Sequence, residues 1–106
     1  MKIENLRNNK SLSCPTVAHF EATPPIRVVS LKAKYIVELG IGPGDILQLT
    51  ATSPFRKGKV KVHILVMRID ADGRKARKKE NQLHWVTGET LTNLQFFKQI
   101  PRIVQI

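Results

Sequence analysis

IRVVSLKAKYIVELGIGPGDILQL, residues Ile26 to Leu49, is the stretch around which the rest of the chain is organised. Ile26 to Leu31 is rich in β-branched side chains and predicts a short strand. From Lys32 to Leu39 the period changes. Tyr35, Ile36 and Leu39 fall at i, i+1 and i+4, which places an apolar stripe on one face of about two helical turns. Gly40 follows directly, where a left-handed residue ends a helix and lets Ile41 pack back on the last turn. Gly42-Pro43-Gly44-Asp45 then supplies the preset φ and the positive φ of a type II turn. Ile46 to Thr50 alternates and reads as a second strand.

Around this unit the chain has 106 residues, which suits one domain with one modest core. It is 42% hydrophobic and 25% charged, the balance of a globular chain and not of a disordered one. The net charge of +10 is far from ordinary and sets up a long-range positive potential. Nucleic acid is the polyanion such a field fits best, and an acidic protein patch is the other partner it suits. The single cysteine, Cys14, excludes an internal disulfide and a multi-cysteine zinc site. No long apolar run marks a signal peptide or a membrane span, so the expectation is a cytoplasmic protein.

Working outward, residues 1–25 read as a polar N-terminal arm, flexible or ordering on a partner. Ile3, Leu6 and Leu12 are too scattered to define a buried face, and VAHFEA within the arm suits an edge strand. Pro24-Pro25 marks the boundary, because proline disfavours helix just before it. Residues 26–106 read as a single basic, β-rich domain. Lys59 to Ile69 is its clearest strand. Val60, Val62, Ile64 and Val66 alternate onto one face, and Lys59, Lys61, His63, Leu65, Met67 and Ile69 onto the other. Asp70 to Gly73 signals a turn. Leu83, Trp85 and Thr87 share one face of a further strand, punctuated by Gly88. Thr90 to Lys98 suits a short helix or a strand. The fold class is therefore α+β, mainly β, with one short helix and a C-terminal β extension.

The central residues also resemble a known family. Leu31-Lys32-Ala33-Lys34-Tyr35-Ile36, then Glu38-Leu39-Gly40-Ile41, then Pro43-Gly44-Asp45 and the strand from Ile46 to Leu49 resemble the core of the SymE-like toxins. Leu39 to Asp45 is similar, one step further out, to the AbrB/MazE swapped-hairpin DNA binders. The resemblance covers residues 27–49. Ala33 stands where the SymE-like proteins favour glycine, and Tyr35 where they favour tryptophan. The resemblance implies a small barrel of swapped-hairpin type, made by two chains interleaving as a homodimer. It also implies DNA binding or a toxin-related role on nucleic acid. A unit of this size cannot bury both its apolar faces alone, so pairing of two copies has a physical reason.

The candidate nucleic-acid contacts are cationic. Arg74, Lys75, Arg77, Lys78 and Lys79 fall within RKARKK, a run without apolar pattern whose charges repel one another unless an anion is near. Arg56, Lys57, Lys59 and Lys61 form a second patch, which can equally guard a strand edge against aggregation. Lys32 and Lys34 open the short helix, where the helix dipole mildly disfavours them. Trp85, Phe55, Phe96 and Phe97 can stack on bases or fill the core. His19, His63 and His84 lack the spacing of metal ligands, and no cofactor is expected. For an RNA-cleaving toxin, His63 beside lysines or His84 would be the acid or base, with a partly exposed strand histidine as the plainer reading of His63. The glycines at 40, 42 and 44 run from helix to strand, the wrong order for a phosphate-binding loop.

Overall fold

A computed structural model describes residues 2–13, 18–23, 25–52, 59–73, 75–93, 95, 96 and 98. In chain order these form β1 (Lys2–Asn5), β2 (Lys10–Ser13), β3 (Ala18–Thr23), β4 (Ile26–Lys32), α1 (Ala33–Leu39), β5 (Ile46–Thr52), β6 (Lys59–Ala71), a 3-10 turn at Lys79–Asn81, and β7 (Leu83–Thr90). The strands make one antiparallel sheet in the order β2-β1-β5-β6-β7-β4-β3. The domain is small, α+β and mostly β.

The central stretch forms strand, helix, turn and strand as its pattern predicts. Gly40 ends α1 at φ 60 and ψ 38. Its N–H donates to the Val37 carbonyl at 3.1 Å and the Ile41 N–H to the Ile36 carbonyl at 3.0 Å. These two bonds are the Schellman pair, and Ile41 is buried beside the last turn. Gly44 takes φ 88, and the Asp45 N–H closes the turn onto the Gly42 carbonyl at 3.1 Å. β4 and β5 do not pair with each other, because β6 and β7 lie between them.

One face of the sheet makes the core. Ile3, Val29, Leu31, Leu47, Leu49, Ile64, Val66 and Val86 are buried there beneath Leu39 and Ile41, with Tyr35 and Ile36 of α1 packed against them. Burial of this apolar face is the main stabilising term, at roughly 25 cal/mol per Å² removed from water.

Four expectations change. The described part of 1–25 is not an arm but sheet. β1 pairs with β2 and β5, and Ile3, opposite Leu49, is fully buried. VAHFEA does supply an edge strand, β3. Second, the sheet is not a closed barrel among the described residues. β2 and β3 are its edges, and α1 covers the core face that barrel closure would otherwise bury. Third, β6 carries an irregularity between Val66 and Arg68. An extra residue there reverses the alternation, so Ile69 packs against the core and Met67 is left half exposed. Fourth, Gly88 lies inside β7, paired with Arg27 and Val66. A Cβ there would overlap Ile64 Cγ2 and lie 2.9 Å from the Leu65 carbonyl oxygen. Glycine is thus required by close packing and not by a turn.

Candidate nucleic-acid interface

The last residues of β4 and the first of β7 fix the basic end of the molecule. Lys32 lies opposite Leu83, and the Ala33 N–H donates to the Gln82 carbonyl at 2.8 Å. The Asp72 N–H donates to the Leu83 carbonyl at 2.9 Å, and Gln82 Nε2 to the Asp72 carbonyl at 3.2 Å. These bonds hold the segment between β6 and β7 beside α1. The 3-10 turn at its end is closed by the Asn81 N–H on the Lys78 carbonyl and the Gln82 N–H on the Lys79 carbonyl, both at 3.0 Å.

Lys75, Arg77, Lys78 and Lys79 are exposed on this segment, and Lys34 is exposed on the outer face of α1. Lys32 is half-buried. Lys34 Nζ lies 5.1 Å from the centroid of the Tyr35 ring, a cation–π distance. Among the described residues no carboxylate holds any of these six cations in an ion pair. The five exposed ones face water, so their charge is available to phosphate oxygens. Lys34 and Lys79 line one groove of about 430 Å3, with Ala33, Val37, Glu38 and Glu80.

The second sequence patch does not join this one. Lys61 is exposed opposite Thr50, near the other end of β6 from Ala71. A strand rises about 3.3 Å per residue, so the two ends stand roughly 30 Å apart. Lys59 begins the same strand at that far end. Arg56, Lys57 and Arg74 lie outside the described residues, as do Phe55, Phe97 and Cys14.

His63 is a third feature, on the sheet face opposite the core. It stacks on Phe96 with ring centroids 3.8 Å apart and planes within 9°. Its Nε2 is 3.0 Å from Gln48 Oε1, which accepts when the proton sits on that nitrogen. Burial first, and the nearby Lys61 second, hold the imidazole below its ordinary pKa. Phe96 is held there by a helical turn with reciprocal capping. The Thr92 N–H donates to Gln95 Oε1 at 2.8 Å, and the Gln95 N–H to Thr92 Oγ1 at 3.2 Å. Of the stretch from Thr90 to Lys98, Thr90 ends β7 and residues 93, 95, 96 and 98 are helical. His84 Nδ1 is 3.2 Å from the Gln82 carbonyl oxygen, and Trp85 is half-buried on β7. Among the described residues no three His, Cys, Asp or Glu side chains converge on a metal position.

A polar node that the sequence reading missed ties the β1–β2 turn to the end of α1. Asp45 is buried and accepts from Arg7 Nε at 2.7 Å, from Asn5 Nδ2 at 3.1 Å and from the Gly42 N–H at 2.9 Å. Asn5 Nδ2 and Asn8 Nδ2 also donate to the Leu39 carbonyl, at 3.0 and 2.8 Å, and Arg7 Nη2 donates to the Gly40 carbonyl at 2.8 Å. A cation and two amides thus serve the unpaired carbonyls at a helix C-terminus. Asp45 was visible in the sequence only as a turn residue.

Among the described residues no helix is long and apolar enough to cross a membrane. The chain matches no family model, no curated protein and no solved structure.

Proposed function

We propose that the chain binds nucleic acid through its basic end, as a DNA-binding regulator or a SymE-like toxin-related protein of the swapped-hairpin type. The observation that carries this reading is the exposed set Lys34, Lys75, Arg77, Lys78 and Lys79, brought to one end of the sheet with no carboxylate in an ion pair with any of them among the described residues. Five cations left unpaired repel one another, and a polyanion relieves that repulsion while releasing its own counterions. The swapped-hairpin dimer draws support from the strand–helix–turn–strand geometry of residues 26–52 and from the resemblance of residues 27–49. RNA cleavage is not part of the proposal, because His63 is stacked against Phe96 and held by Gln48, and His84 Nδ1 is turned to the Gln82 carbonyl.

The test is a titration of short DNA and RNA at several salt concentrations. Log K falls linearly with log salt, with a slope of about −0.7 to −0.9 per phosphate contacted. Replacing Lys75, Arg77, Lys78 and Lys79 with glutamine makes the slope shallower by about 3. An unchanged slope removes the segment from the interface. No binding to any nucleic acid, together with one stoichiometric acidic protein partner, replaces the reading with a protein-interaction module.

A further inference from the structure

The groove between α1 and the 3-10 turn carries groups that phosphate contact does not use. Tyr35, Ile36 and Leu39 turn α1 towards the core, which leaves Ala33, Lys34, Val37 and Glu38 on its outer face. Lys79 and Glu80 stand across the groove. Val37 is 78% exposed, an apolar surface left bare in a groove otherwise lined by charged side chains and Ala33. Glu38 and Glu80 are exposed carboxylates in the midst of the cations. A surface serving backbone phosphates alone gains nothing from them, because they repel it.

A base offers what both features fit. Its flat apolar face covers Val37 and Ala33, and its edge meets the carboxylates. A carboxylate only accepts hydrogen bonds, so it selects edges that donate. Guanine presents adjacent N1–H and N2–H donors that one carboxylate can take together. Thymine and uracil set a single N–H between two carbonyl oxygens, which a carboxylate repels. Within a duplex these edges are already paired, so the occupant is an unstacked base of a single strand.

We propose that this groove receives one unpaired guanine of a single-stranded segment. Glu38 or Glu80 accepts from its Watson–Crick edge, and Lys34 and Lys79 hold the flanking phosphates. The proposal rests on the nucleic-acid reading above and names its substrate class.

The experiment compares, by fluorescence anisotropy with the full chain, labelled oligothymidylate and the same oligomer carrying one central guanine. The guanine oligomer binds about 5- to 10-fold more tightly. The double variant Glu38→Gln, Glu80→Gln loses that preference and binds oligothymidylate at least as tightly as before, because two charges that repel phosphate are gone. Both side chains are exposed, and an unchanged thermal melt verifies that the variant folds. Equal affinity for the two oligomers, or a guanine preference that survives in the double variant, overturns the groove assignment while salt-dependent binding stands. If neither oligomer binds in a salt-dependent way, the nucleic-acid reading falls with it.

Discussion

His63 makes the fold sensitive to mild acid. Its imidazole is packed against Phe96, partly withdrawn from water and close to Lys61, so its charged form is disfavoured in the native state. The folded pKa is below the ordinary value near 6.5, and the unfolded chain therefore takes up the proton first. Stability is fully present above about pH 6.5 and is lost as the pH falls through that value towards the folded pKa. The expected outcome is a urea midpoint that drops between pH 7.5 and pH 5, with a smaller drop in His63→Gln. An equal drop in both proteins would assign the effect to other groups.

Among the elements, the β1–β2 hairpin is held to the body through Asp45 as well as through its pairing with β5. Replacing Asp45 with alanine removes the acceptor of Arg7 Nε and of the Gly42 N–H and one acceptor of Asn5 Nδ2, at a cost of about 1–3 kcal/mol, while the bonds of Asn5 and Arg7 to the Leu39 and Gly40 carbonyls remain. The loss is local. Hydrogen exchange in Asp45→Ala should quicken across β1 and the C-terminus of α1 while β6 and β7 stay protected. Uniform quickening would show that the node supports the whole sheet. The same elements explain what was legible beforehand. Gly40 and Pro43-Gly44 act within a few residues of themselves, so their geometry could be read directly. Ile3 and Asn5 are buried by residues more than thirty positions away, and no local period announces that. The shift at Met67 and the close packing at Gly88 arise only when β6 meets β7. The basic run was plain in the sequence. Its separation from Lys61, and its juxtaposition with Lys34, follow from strand order and strand length.

At the scale of the whole molecule, the exposed Lys61 and the 75–79 segment stand at opposite ends of β6, and the end built from α1 and the 75–79 segment combines cations with a groove. The proposed dimer is tested by mass. Sedimentation equilibrium should give about twice the 12.0 kDa of one chain. A single-chain mass over the micromolar range would remove the swapped-hairpin reading while leaving the basic end in place.

The order of the strands also bears on how the molecule is born. β4 is paired on its inner side by β7, and β1 on its inner side by β5. Once β1 to β5 have left the ribosome, β5 still lacks β6 on its inner side and β4 still lacks β7. The two central strands, β6 and β7, emerge last and close the sheet between sections that have been waiting. Such a chain depends on long-range pairing and holds apolar strand edges open until late in synthesis.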